Sequence, residues 1–396
     1  MKKILALVLV VVMLLGLTAC GGGEKADEKL KVGFIYLHDE QSTYDKNFMD
    51  AAKAACEEMD VDYAQKVGIP ESNACYDAAV ELVEDGCDII FADSFGHESF
   101  LMDAAKEYPE VQFCHATGTQ AHTATDLTNF HNAFASIYQG RYLAGVAAGM
   151  KLNEMIDNGK ITADKAKMGY VGAFTFAEVI SGYTSFYLGA KSVCPTVTMD
   201  VKFTGSWYDE QKEKEAAQAL ITGGCVLISQ HADSMGAPTA CETAGVPNVS
   251  YNGSTISACP KTFIVSSRID WTPYFKYMIQ CVEDGEAIAT DWTGTLETGS
   301  VVLTDINTDV AAAGTAEKIA DVKAKLNDGS LQVFDTANFT KDGKKLDSYK
   351  ADVDTDEKFT PDTEVIDGGV FYESKYRSAP YFDVRIDGIK LLDEAY

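Results

Sequence analysis

From residue 31 onward the chain repeats one pattern, in which a short apolar run is followed by an amphipathic helical stretch. KVGFIYL (31–37) leads into NFMDAAKAACEEM, DYAQKV into ACYDAAVELVEDG, and CDIIFADS into ESFLMDAAKEYP, with VQFCHA closing the cycle. A second cycle opens at KMGYVGAF (167–174) and continues through AEVISGYTSFYLGAKSV, VTMDVKFTGS, EQKEKEAAQALITGG, CVLISQ, MGAPTACETAG and VPNVSYN. The apolar runs have strand length, and the stretches after them place apolar residues near i, i+3 and i+4. Helices that alternate with strands cover both faces of a parallel sheet, so the pattern predicts two doubly wound α/β lobes.

The remaining segments set the domain organisation. ASIYQGRYLAGVAAGMKLNEMID reads as a long helix between the cycles, and TFIVSSRID and WTPYFKYMIQCVEDG as a strand and helix after them. Residues 298–336 add a strand, the helix TAEKIADVKAKLNDG and a strand LQVFD. A chain that crosses more than once between lobes fits this order. The expected lobe 1 is 31–140 plus about 270–336, lobe 2 is 141–269, and 337–396 is a charged, turn-rich appendage with no assigned place.

Residues 1–19, MKKILALVLVVVMLLGLTA, have the basic start, apolar run and small-residue end of an export signal. Leu17-Thr18-Ala19-Cys20 is similar to a lipobox, which implies diacylation of Cys20 and a cell-membrane anchor facing outside. Residues 20–30 are glycine-rich and charged, as in a flexible tether. A formal net charge of −27 argues against nucleic acid and anionic lipid surfaces, which need basic patches. The nine cysteines beyond Cys20 show no C-x-x-C pair and no zinc spacing, and several sit inside apolar runs, so they are expected as buried small hydrophobes.

Ligands of open parallel sheets bind beyond the carboxyl ends of the strands. Here those ends carry Asp93-Ser94-Phe95-Gly96-His97, His115-Ala116-Thr117-Gly118, Phe174-Thr175-Phe176-Ala177-Glu178, Trp207-Tyr208-Asp209, Gln230-His231-Ala232-Asp233-Ser234 and Asp270-Trp271. Aromatic faces beside carboxylates and hydroxyls suit a flat, hydrogen-bond-rich, uncharged molecule. Any single Ser or Asp among them could serve only as a helix cap. His231, Asp233 and Ser234 spell a hydrolytic triad within four residues, yet neighbours so close in sequence seldom face one another. No G-x-S-x-G elbow, P-loop or dinucleotide fingerprint is present, and six histidines lack metal-ligand spacing. No enzyme, cofactor or metal is therefore expected. A surface-anchored hydrolase and a sugar receptor remain the alternatives.

The order of FADSFGHE, HATG, SIYQGRYLAGVAAGM, AEVISGYTSFYLGAKSV, SWYDEQKEKEAAQALITGG and KAKLNDGSLQVF resembles the basic membrane protein family of ABC-transporter substrate-binding lipoproteins. That resemblance, over about 30–336, implies a type I periplasmic-binding fold, hinged by crossovers, that holds a purine or nucleoside for ABC permease subunits. It implies that Tyr44 stacks on the base, with Phe174 and Trp207 as the opposing wall. Glu178 and Asp233 would accept from base N–H groups, Ser94 and Phe95 belong to the same lining, and Asp270 lies toward the hinge. Where the nucleoside-binding branch has an aspartate and a lysine, this chain has Asn252 and Arg268, which favours a free purine base over a nucleoside.

Overall fold

The computed structural model describes residues 29–353 and 360–396; the leader, Cys20 and most of the tether lie outside them. In the first half, β1 (Lys31–Ile35), β2 (Asp62–Lys66), β3 (Ile89–Ala92), β4 (Gln112–Ala116) and β5 (Phe130–Ala135) alternate with α1 (Thr43–Met59), α2 (Asn73–Glu84) and α3 (Glu98–Glu107). After α4 (Ile137–Asp157) come β6 (Lys167–Gly172), α5 (Ala177–Val193), β7 (Thr198–Phe203), α6 (Glu210–Thr222), β8 (Leu227–His231), α7 (Gly236–Ala244) and β9 (Asn248–Tyr251). Then follow β10 (Phe263–Ile269), α8 (Thr272–Asp284), β11 (Asp291–Gly294), β12 (Val301–Leu303) and α9 (Thr315–Asn327).

The first sheet has the order β11-β5-β4-β3-β1-β2 and is parallel throughout. The second contains β6 to β10, with β12 antiparallel on β10 at one edge. The chain thus passes between the sheets after β5, after β10 and after β11, and these crossings form a hinge between two α/β lobes.

Helix α8 returns to close the first lobe. Its Phe275 meets Phe34 and Phe91 at ring-centroid distances of 5.1 and 4.8 Å, and Trp271 stacks on Phe48 at 4.5 Å. In the second lobe α4 and α5 pack without room for side chains between them. A Cβ on Gly145 would stand 2.0 Å from the Phe186 carbonyl oxygen, and one on Gly189 would stand 2.0 Å from that of Tyr142. All nine cysteines among the described residues are buried and free, as their apolar settings predict.

Three elements depart from the sequence-based expectation. Of the return segment 270–336, the first sheet takes only Asp291–Gly294; Val301–Leu303 pairs instead with Phe263–Ile269 of the second sheet, and α9 packs on α4. An edge strand of three residues has too little periodicity to reveal which sheet it joins. Residues 331–335 form no strand, and only Asp335 makes an isolated bridge, to Val370. The C-terminal residues carry the two-residue pairs β13 (Lys350–Ala351) with β14 (Thr363–Glu364) and β15 (Ile366–Asp367) with β16 (Val370–Phe371). They end in β17 (Ile389–Leu391), which lies parallel to β7 and extends the second sheet. This segment also touches the first lobe, where the Ser378 N–H donates to Asp291 Oδ2 at 2.7 Å.

Candidate functional site

The carboxyl ends of β1, β3 and β4 face those of β8 and β9 across the cleft between the lobes. The lobes meet there directly. The Thr43 N–H donates to the Asp233 carbonyl at 2.9 Å, Asn47 Nδ2 donates to Asn252 Oδ1 at 3.2 Å, and the rings of Phe95 and Phe176 approach to 5.8 Å. Between these contacts lies a pocket lined by Leu37, His38, Tyr44, Asp45, Ser94, Phe95, Thr117, Glu178, Trp207, His231, Asp233 and Tyr251. The space between its walls, open mouth included, is about 380 Å³, at the small end for ligand sites.

Local folding positions each wall. Ser42 caps α1 by accepting from the Asp45 N–H, which sets Tyr44 in the first turn at the cleft. The Tyr44 hydroxyl donates to the Asp93 carbonyl at 2.8 Å, and its ring edge rests on Phe48 at 4.8 Å. Trp207 is held from behind by Phe174, 5.0 Å away in an edge-to-face arrangement. Thr117 (φ 63°) and Asn252 (φ 63°) both adopt left-handed backbone at the ends of their strands. That conformation is strained for a β-branched residue such as Thr117, and strain of this kind concentrates at binding sites.

The pocket is acidic. Burial pushes Asp45 up, but hydrogen bonds from His38 and Ser42 outweigh it and hold the carboxyl below its ordinary value. Burial, together with the Asp45 charge, raises Asp93 well above the carboxylate range. Asp233, 5 % exposed, is likewise raised by burial and by the charges of Glu213, Asp45 and Glu178. Both effects favour the neutral acid, which has a donor as well as an acceptor. His231 is lowered by burial, against the pull of Glu178, and is neutral. The Tyr251 hydroxyl, on a side chain 1 % exposed, has no protein partner.

Six of the eight ligand residues expected from sequence line this pocket: Tyr44, Ser94, Phe95, Glu178, Trp207 and Asp233. Phe174 does not; it forms the layer behind Trp207. Asp270 does not either: it accepts from the Thr272 N–H, in the first turn of α8, at 3.0 Å and from Arg268 Nη2 at 3.2 Å, beside a crossover. His231, Asp233 and Ser234 assemble no triad. Ser234 is buried, its N–H donates to Glu213, and its Oγ accepts from the Gly236 N–H at 3.0 Å. The His231 ring faces Glu178 and Tyr170 instead. The other lining residues are not among the expected ligand groups: His38, Asp45, Thr117 and His231 stand in or just after strand ends of the kind expected to line a cleft, whereas Leu37 and Tyr251 end apolar runs, in which nothing shows which residue turns inward.

A sequence profile described as an ABC transporter substrate-binding protein, PnrA-like, matches residues 33–333. The chain belongs to this Bmp family. It is 31% identical over 344 residues to a purine-binding protein of Brucella abortus, covering 83% of this chain and 91% of that one. It is 29% identical over 315 residues to a putative ABC transporter glucose-binding protein of Haloferax volcanii, covering 78% and 76%. A solved ABC transporter solute-binding protein of Aeropyrum pernix superposes with a TM-score of 0.65 at 16% identity, covering 80% and 94%, and shares the fold.

As a Bmp-family substrate-binding protein, the chain works outside the cytoplasm with a small-molecule ligand and a permease partner. Among the described residues no helix is long and apolar enough to cross a membrane. The C-terminal residues beyond the family match line the outer continuation of the pocket: Arg377, Asp383, Arg385 and Tyr396 share a wider cavity with Phe95, Thr117, Glu178 and Trp207.

Proposed function

We propose that the interlobe pocket captures a purine base, or a heteroaromatic ring of the same shape, for import. The observation that carries this reading is the pairing of Tyr44 and Trp207 with Glu178, the buried Asp233 carboxyl, whose burial favours its neutral form, and the unpartnered Tyr251 hydroxyl. A neutral carboxylic acid can donate to a ring nitrogen and accept from an adjacent N–H, while an ionised carboxylate accepts a second N–H. The inner lining holds the carboxyl side chains of Asp45, Glu178 and Asp233 and no Lys or Arg, so the part of a ligand seated there is an uncharged ring and not a phosphate.

A sugar is the second reading, favoured by the Haloferax volcanii relative. Sugar rings present many hydroxyls that also need donors, however, and three of the four lining hydroxyls are engaged: Ser94 Oγ donates to Glu71 at 2.6 Å, Thr117 Oγ1 to the Ala116 carbonyl and Tyr44 to the Asp93 carbonyl, which leaves Tyr251. A thermal-shift panel of adenine, guanine, hypoxanthine, adenosine and glucose separates the two. Saturation with a purine base at about a hundred times its Kd stabilises by about 2.7 kcal/mol, giving a rise of several degrees. A rise with glucose alone would sink the purine reading.

Membrane attachment through Cys20 belongs to the same proposal, supported by the Leu17-Thr18-Ala19-Cys20 sequence. Cys20→Ser protein is expected in the soluble fraction of cells in which the unsubstituted protein pellets with membranes. Equal partition of the two would contradict the anchor.

A further inference from the structure

Arg141 lies on α4 with no exposure at all, and the helix residues that follow it, Tyr142 to Met150, are small, apolar or aromatic. A guanidinium stays charged in any protein environment and has donors only. Its hydrogen bonds all end on neutral oxygens: Tyr170 OH at 2.8 Å, Ser229 Oγ at 2.9 Å, Ser267 Oγ at 3.2 Å, and the carbonyls of Ser250 at 3.3 Å and Gln230 at 3.4 Å. The rings of Tyr170, Phe186 and Tyr251 surround it at 5.0 to 5.3 Å. Burying an unpaired cation is unfavourable, so its position calls for a reason beyond packing.

The reason lies in what Arg141 forces on its neighbours. Because Arg141 Nη2 can only donate, the Tyr170 oxygen must accept, and its one proton points elsewhere. The next partner within reach is His231 Nδ1, 3.4 Å away. A proton donated to Nδ1 requires that ring nitrogen to be bare, which places the imidazole proton on Nε2. That atom lies 3.4 Å from Glu178 Oε1, in the ligand pocket.

We propose that Arg141 is a positioning residue of the ligand site, acting through Tyr170 to hold His231 as the Nε2–H tautomer, so that Glu178 faces the ligand only as an acceptor. One Glu178 oxygen is then occupied by His231 and the other is free for an N–H of the ring. The site thereby selects ligands that present an N–H donor at that point over those presenting a carbonyl or a bare nitrogen. Gly182 on α5 keeps the relay close, since a Cβ there would stand 2.6 Å from His231 Nδ1. The other groups facing His231 are the Tyr251 ring at 4.4 Å and the Arg141 charge, and that charge disfavours a second cation on the imidazole.

The ligand selectivity rests on the purine reading, but the relay itself is testable without any ligand. The experiment is ¹⁵N NMR of the ligand-free protein labelled in its histidine rings, with His231→Gln assigning the His231 signals. Wild-type His231 should show a protonated Nε2 and a bare Nδ1. Tyr170→Phe, which removes one hydroxyl, should mix the tautomers or protonate the ring below about pH 7. In that variant adenine or hypoxanthine affinity should fall about tenfold and weaken further as pH drops. Arg141→Lys, still a pure donor, should keep the wild-type signature where Arg141→Met loses it. A wild-type Nδ1–H tautomer, or an unchanged signature in Tyr170→Phe, overturns the proposal. A correct tautomer with no purine binding supports the relay and rejects the purine reading instead.

Discussion

Gly189→Ala destabilises the protein by about 3 kcal/mol in urea unfolding, although helix propensity alone would favour alanine by about 1 kcal/mol. The larger effect wins because the added Cβ would meet the Tyr142 backbone oxygen at 2.0 Å, and a backbone atom inside a helix cannot move aside without moving the helix. The reciprocal change, Gly145→Ala, meets the Phe186 carbonyl at the same distance and should behave alike. Because α5 also carries Glu178 and Gly182, pushing the helices apart shifts the floor of the pocket, and ligand affinity should fall with stability. Unchanged or raised stability in either variant would show that the α4–α5 contact is looser than described.

Glu178→Ala lowers purine affinity about a hundredfold in isothermal titration, with little loss of thermal stability. Removing one partner of a buried, charge-assisted hydrogen bond is unfavourable by about 2 to 5 kcal/mol, and each 1.4 kcal/mol is tenfold in binding. Here the variant leaves both the ligand N–H and His231 Nε2 without an acceptor. Glu178→Gln keeps the shape but brings a donor to the pocket, and should lose about tenfold. Stability is spared because Glu178 stands at the pocket wall and takes part in no helix cap. Full affinity in Glu178→Ala would remove this carboxylate from the binding account.

The two lobes were legible in the sequence because strand and helix periodicities alternate without ambiguity over 31–116 and 167–251. Most ligand-facing positions were legible for a related reason: Ser94, Phe95, Trp207 and Asp233 lie just past strands whose carboxyl ends must open on the cleft. Phe174 has the same sequence setting and faces the other way, since the side on which a loop residue falls depends on packing against α6 and α7. Asp270 looked like a ligand group but satisfies a helix N-terminus, the ordinary use of aspartate there. The strands Phe130–Ala135, Asp291–Gly294 and Ile389–Leu391 were not anticipated, because each is fixed by a distant partner strand more than by its own pattern. Arg141 did leave a signal: a lone charge in GRYLAGVAAGM, where the helix has no polar face to put it on.

The central claim is that the cleft between the lobes holds a purine-type ring through aromatic faces and an N–H-accepting carboxylate. Isothermal titration of the ligand-free protein with adenine, guanine, hypoxanthine and glucose tests it most directly. The account predicts one-to-one binding of at least one base at micromolar Kd or tighter, about −8 kcal/mol, with no heat from glucose. Saturable glucose binding, with no base bound, would contradict it.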